Sequence, residues 1–184
     1  MKIRILLSLV IMIILSACEQ AGQPESVGKK LMPPKPLTGM VLVDDQNNAL
    51  PIDLLKNSYH YVLLAESACD EFCMQYIDLT REAIQQVSTA NSVSKPVKQL
   101  LVLGYEPDKA WLEKLKQENP GITVTVLTPA IWSIFTLPFN QVATDMVGSP
   151  LFLVDPRGFI MIVYDDLDES APLVSDLRSL DAQP

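Results

Sequence analysis

The chain has 184 residues, 48% of them hydrophobic, with a formal charge of −8, three cysteines and one histidine. So acidic a chain carries no basic footprint for nucleic acid. It also holds no Gly-rich phosphate loop and no repeated CxxC pair for zinc, and its single histidine, His60, has nothing beside it to suggest a Ser-His-acid set.

Residues 1–17 read as a secretory signal. Lys2 and Arg4 make a short positive n-region, and Ile5 to Leu15 is apolar apart from Ser8. That run is shorter than the ~20 residues a bilayer-spanning helix needs and fits an h-region of ~7–15 residues. Leu15-Ser16-Ala17-Cys18 resembles the lipobox of bacterial lipoproteins. The resemblance implies cleavage before Cys18, a diacylglyceryl group on its sulfur, and the two or more lipid signals that stable anchoring requires. It implies a domain tethered to a membrane and facing the periplasm or another extracytoplasmic space. Glu19 stands where an Asp would favour inner-membrane retention, which leans the resemblance to the outer membrane but leaves the choice open. An ordinary signal peptide, or an uncleaved anchor with an incidental Cys18, is the other reading. Loss of residues 1–17 removes Lys2 and Arg4 and no acid, so the charge moves from −8 to −10.

Residues 18–37 contain Pro24, Pro33, Pro34 and Pro36 and are expected to be a Pro-rich tether, disordered or semi-extended. Residues 38–184, about 145 of them, suffice for one domain with a real core. Met40-Val41-Leu42-Val43 is a short strand, with a partner at Leu50-Pro51-Ile52. Tyr59 to Ala65 is nearly continuous and apolar, as a strand covered on both faces would be. From Asp70 to about Ala90 the period changes. Phe72, Tyr76, Leu79, Ala83, Ile84 and Val87 fall at helical spacing, with no Gly or Pro.

A second buried strand covers Gln99 to Gly104, and Pro107 opens a helix closed by Pro120-Gly121. Ile122 to Leu127 is a third strand and Ala130 to Phe135 a short helix. Pro150 to Val154 and Phe159 to Tyr164 form a hairpin about Asp155-Pro156-Arg157-Gly158, and Glu169 to Leu180 a last helix. Alternating buried strands and helices mean an α/β sandwich. The terminal hairpin and helix narrow it to a thioredoxin-like fold: a central mixed sheet flanked by helices. Thioredoxin-like proteins place a cis-proline before this hairpin, opposite the dithiol, and Pro150 is expected to be that residue.

With Cys18 set aside, Cys69 and Cys73 remain. In an exported protein such a pair is a structural disulfide, a catalytic dithiol or a soft-metal site. Spacing of four at a helix start puts both sulfurs on one face, and local unwinding brings them within bonding range. The helix N-terminus favours a thiolate there, while Asp70 and Glu71 oppose it, so the thiols should be less acidic than those of a strong oxidant. Asp165, Asp166, Asp168 and Glu169 read as a solvated turn and helix start, and Trp111 and Trp132 as core anchors.

Two blocks carry a wider resemblance. Ala68-Cys69-Asp70-Glu71-Phe72-Cys73, with Arg81 downstream, is the first. The second is Phe152-Leu153-Val154-Asp155-Pro156-Arg157-Gly158-Phe159-Ile160-Met161, followed by Tyr164 and Asp176-Leu177. Over about residues 58–182 these resemble the Sco/SenC copper chaperones of cytochrome c oxidase, and more closely a Sco-like group associated with cytochrome oxidase genes in proteobacteria. The resemblance implies dithiol exchange in maturation of the oxidase's copper centre, with Cys69 attacking and Cys73 resolving. It implies an oxidase subunit or copper chaperone as partner, and Cu(I) held transiently by Cys69 and Cys73.

This chain departs from the pattern in three ways. Asp70 and Met74 stand where Sco proteins have prolines, and the place of the copper-ligand histidine falls at about Val147. Met146 beside it offers a thioether as a substitute ligand. His60 lies in the strand before the thiols and reads as a packed or edge-strand residue. A general envelope thiol–disulfide oxidoreductase and a non-catalytic binding module with a structural disulfide are the alternatives.

Overall fold

The structure is a computed structural model describing residues 27–37, 42–43, 49–50, 55–144 and 149–183. Residues 1–26, which include the signal and Cys18, lie outside the described residues, as do Met146 and Val147. The strands are β1 (Lys29–Pro36), β2 (Leu42–Val43), β3 (Ala49–Leu50), β4 (Tyr59–Ala65), β5 (Val97–Leu103), β6 (Ile122–Val126), β7 (Leu151–Val154) and β8 (Phe159–Tyr164). The helices are α1 (Glu71–Thr89), α2 (Lys109–Glu118), α3 (Pro129–Phe135), α4 (Leu137–Val142) and α5 (Ala171–Asp181). Six strands form one mixed sheet in the order β1-β8-β7-β4-β5-β6, and β2 pairs with β3 in a separate antiparallel hairpin. This is the expected thioredoxin-like α/β architecture.

β4 shows how the apolar pattern builds three layers. Tyr59, Tyr61, Leu63 and Ala65 enter one core, and Val62 enters the other. Successive strand residues face opposite sides, so a continuous apolar run demands cover on both. One face is covered by α1 and α5 through Tyr76, Ile77, Ala83, Leu173 and Leu177. The other is covered by α3 and α4, where Phe139 packs on Phe152 and Phe135 packs on Phe139.

β4 lies parallel to β5 and antiparallel to β7, so the sheet has two distinct poles. The chain leaves β4 toward Cys69 at one pole. Asp155-Pro156-Arg157-Gly158 lies at the other, since His60 at the start of β4 pairs with Val154. Buried Asp155 accepts from the backbone N–H of Arg157 and of Phe159, both at 2.9 Å, and from Arg157 Nε at 2.7 Å. Gly158 takes a left-handed φ of 85°, which glycine adopts without steric cost. The motif that carried much of the family resemblance is thus turn architecture, at the pole opposite the cysteines.

Three expectations are corrected. The tether does not run to Leu37, because Lys29–Pro36 forms β1, antiparallel to β8. Its prolines signalled a linker, but an edge strand tolerates proline because one side of its backbone needs no sheet partner. Second, the cis peptide among the described residues is Met32–Pro33, and Ser149–Pro150 is not cis. Pro150 still immediately precedes β7 at the cysteine pole, where strand-start geometry accommodates an ordinary proline. Third, a further helix, α4, follows α3, with Pro138 in its first turn.

The Tyr164 and Asp176 of the second sequence block meet in the core. Tyr164 donates its hydroxyl to Asp176 Oδ2 at 2.9 Å, and Lys30 Nζ lies 3.8 Å from Asp176 Oδ1. Asp176 is 2% exposed, and a buried acceptor that loses a donor costs about 1–3 kcal/mol. Tyr164→Phe is therefore expected to lower the unfolding free energy by about 1–3 kcal/mol in a urea titration, with the slope against denaturant unchanged.

Candidate functional site at the start of the first long helix

Asp70 sets the start of α1. It adopts extended backbone, and its side chain accepts from the Cys73 N–H at 2.8 Å. That is an N-cap, satisfying one of the donors a helix start leaves open. It also places Cys73 in the first turn, with Cys69 just before the cap. The two cysteines are joined in a disulfide with S–S 2.05 Å and Cα–Cα 5.0 Å.

The two sulfurs sit in different surroundings. Cys73 is fully buried and belongs to the core cluster with Tyr76, Ile77 and Leu167. Cys69 is partly buried and packs against the edge of that cluster. Around Cys69 the chain is open: Glu66, Ser67, Ala68, Asp70 and Glu71 are exposed, and Phe72 presents 60% of its surface. Met74 is partly buried against the same core.

The shell is acidic. The segment after β8 holds exposed Asp165, Asp166 and Asp168, fastened to α1 by Leu167. Leu167 is buried in the core, and its carbonyl accepts from Gln75 Nε2 at 3.0 Å. Burial pushes the Tyr76 phenol up, a backbone hydrogen bond from Leu167 opposes this, and Asp166, Asp165 and Asp168 push it further up. Glu71, Asp78, Glu82 and Asp168 line an open groove along α1. The Arg81 in that groove is held by Asp78 at 2.6 Å and by Asn119 Oδ1 at 2.8 Å. Sequence reading took these acids as a solvated turn and missed Leu167 and Gln75. A lone leucine among aspartates gives no periodic signal of where it docks.

His60 lies at the other pole, 4% exposed, with Nδ1 3.2 Å from the Ser58 carbonyl. Its strand β4 is central in the sheet, so it is a packed residue and not an edge one. Burial lowers its pKa to about 4, the Ser58 hydrogen bond opposing and the Lys98 charge adding to the shift. It is thus neutral and remote from the sulfurs. Among the described residues no three His, Cys, Asp or Glu side chains are grouped to hold a metal ion. The sulfur pair itself, once reduced, offers two soft ligands suited to Cu(I).

The family model described as transmembrane-like, thioredoxin-like, C-terminal domain matches residues 59–182. The chain belongs to that family. Among the described residues of this thioredoxin-like family member, no helix is long and apolar enough to cross a membrane. Its fold is shared with yeast Sco1 with copper bound, at TM-score 0.66 and 14% identity, over 82% of this chain and 96% of that one. A Bacillus Sco protein, described with a disulfide switch and as a member of the Sco family of cytochrome c oxidase assembly proteins, matches at TM-score 0.62 and 12% identity, over 85% and 98%. The thioredoxin domain of a thiol-disulfide oxidoreductase from Bacteroides vulgatus matches at 0.54 and 15%, over 77% and 92%. No curated protein matches the chain. The expected Sco-like resemblance is met in the fold.

His60 yields a signed prediction. Below pH ~6.5 the unfolded chain takes up a proton that the folded chain refuses until pH about 4. Stability present above pH ~6.5 is therefore lost as the pH falls through that window, approaching about 1.4 kcal/mol per unit. His60→Gln should flatten this slope between pH 6.5 and 5 in denaturant titrations, whatever it does to stability at pH 7.

Proposed function

We propose that this chain is a Sco-like thiol–disulfide protein, anchored to a membrane through lipidated Cys18 and facing an extracytoplasmic space. It assists maturation of the copper centre of cytochrome c oxidase. The observation that carries the reading is the asymmetry of the sulfur pair: Cys69 at an open lip, Cys73 fully buried behind it, the two in bonding contact. An attacking thiol must be reached by a client, and a resolving thiol must not.

In the reducing direction the Cys69 thiolate attacks a client disulfide and expels one client thiolate. The Cys73 thiolate then attacks Cys69 in the mixed disulfide and releases the second. Two electrons and two protons pass to the client, and the Cys69–Cys73 disulfide remains. A dithiol protein of the thioredoxin class returns the pair to its reduced form. Exchange of this kind needs no histidine. A chain with Val147 at the expected ligand position is therefore better suited to reducing a partner's copper-ligand cysteines than to storing copper. Cu(I) enters as cargo, held transiently by the reduced pair, with Met146 as a further soft donor.

The second reading, a general envelope oxidoreductase, draws support from the fold shared with the Bacteroides vulgatus protein. A deletion strain separates the two. The proposal expects oxidase activity to fall and to return with wild type but not with the double Cys69→Ser, Cys73→Ser chain. It expects Cys73→Ser to accumulate a mixed disulfide with an oxidase-assembly partner, and Cys69→Ser to accumulate none. Normal oxidase activity with broad loss of other envelope thiol reductions would select the general oxidoreductase.

A further inference from the structure

The charges of this domain are sorted along its strands. At the near pole, where β4 delivers Cys69, the acids described around the sulfurs are joined by exposed Glu106 and Asp108 after β5, with Lys109 beside them. The far pole, opposite the cysteines, is cationic. Lys35 pairs with Ile160, Ile160 with Val154 and Val154 with His60, so Lys35 lies level with the start of β4. Lys98 pairs with His60 directly. Lys95 precedes Pro96, whose carbonyl accepts from the Tyr59 N–H at 2.8 Å. Arg157 stands in the turn between β7 and β8. Arg178 lies in the last turn of α5, shortly before Asp181, which reaches Tyr59 and Ser94. Lys95, Lys98, Arg157 and Arg178 are exposed, and Lys35 is half-buried.

The acids at the far pole are engaged within the fold. Asp155 is 4% exposed and accepts from the Arg157 and Phe159 N–H groups and from Arg157 Nε. Asp181 accepts from the Ser94 N–H at 2.6 Å and from Ser94 Oγ at 2.7 Å. Glu118, at the end of α2, lies 3.8 Å from Lys114 Nζ. Setting Arg157 against Asp155 and Lys95 against Asp181 still leaves Lys35, Lys98 and Arg178 in excess among the described residues.

The seven residues of β4 hold the two poles about 20 Å apart. Charges in water are screened over about 8 Å at physiological ionic strength. A charged surface touching one pole therefore barely senses the other. The N-terminal link imposes no preference between them. Lys29 is level with Val163, Phe152 and Val62, halfway along β4. The ten residues from Glu19 to Gly28, which extend to about 36–40 Å, reach either end. Orientation is thus left to charge.

We infer that the far pole is a docking surface for an anionic phospholipid bilayer, on which the domain stands with its Cys69–Cys73 pole turned away from the membrane. The inference rests on the lipid-anchor reading above and adds the orientation of the domain. An anchor on Cys18 keeps the domain beside the headgroups. Their phosphates attract the far-pole lysines and arginines and repel the acids around the sulfurs, so both effects favour one orientation. The acidic pole is then the end left open to a protein client.

The test uses the full lipidated chain, with the Cys69–Cys73 bond left oxidised, on phosphatidylethanolamine/phosphatidylglycerol vesicles. A fluorophore goes on Thr89→Cys at the far pole or on Ala110→Cys at the near pole, both exposed positions. Energy transfer to a headgroup acceptor is expected to be at least twofold more efficient from Thr89→Cys. The difference should vanish on phosphatidylcholine vesicles and in about 0.5 M salt. It should also vanish in Lys95→Glu, Lys98→Glu, Arg178→Glu, whose fold is checked by near-ultraviolet dichroism. The lipid and salt comparisons do not depend on that variant.

Equal or reversed efficiencies on the anionic vesicles overturn the inference and leave the cationic pole to an acidic protein surface. A difference that persists on phosphatidylcholine, in high salt or in the folded charge-reversed chain overturns it as well, because charge then does not set the orientation. Failure of the Cys18-acylated chain to stay on vesicles overturns the lipid-anchor reading, and the inference with it.

Discussion

One side-chain capping bond organises the reactive end of this molecule. Asp70 closes the start of α1 on the Cys73 N–H, and in doing so it fixes where the loop from β4 stops and the helix begins. The two cysteines fall on either side of that boundary, with their Cα atoms 5.0 Å apart. The same bond has an electrostatic consequence. An amide that would stabilise a thiolate at a helix start is already donated to a carboxylate, and further acids surround it. The arrangement suits a pair that gives up electrons more than one that strongly attracts them.

The domain separates building from chemistry along the strands. At the far pole, Asp155, Gly158 and buried His60 hold the hairpin and the start of β4. At the near pole, α1 and the acid segment seated by Leu167 meet beside the sulfurs. A continuous apolar core joins the two ends, so the lip holding Cys69 is backed by packed side chains. Cys73, Tyr76, Ile77 and Leu167 belong to that core together. Opening the disulfide therefore need not open the fold.

Much of this was legible in the residues, for physical reasons that also explain what was not. β4 and α1 were read nearly to the residue, because a seven-residue apolar run and a long helical period bounded by Asp70 leave little ambiguity. The pairing of Cys69 with Cys73 followed from cysteine spacing at a strand-to-helix junction. β1 was unreadable because its prolines carry the signal of a linker, and only pairing with β8 reveals an edge strand. α4 was hidden by Pro138, which reads as a break although it opens the helix. The expected cis bond at Pro150 came from family resemblance, and nothing in the local sequence required it. Seating of the acid segment by Leu167 depends on contacts between residues some ninety positions apart, as in the Gln75 to Leu167 bond. Periodicity does not encode such contacts.

The central claim is that the Cys69–Cys73 bond opens and closes reversibly at an accessible lip while the domain stays folded. Titration of the purified domain across dithiothreitol redox buffers tests it most directly, with thiols trapped by alkylation and counted by mass, and near-ultraviolet circular dichroism followed in parallel. The account predicts a single reversible two-electron transition, native dichroism at both ends, and faster alkylation of Cys69 than of Cys73. A bond that reduces only as the dichroism collapses, or that does not re-form when the buffer is made oxidising, would contradict it.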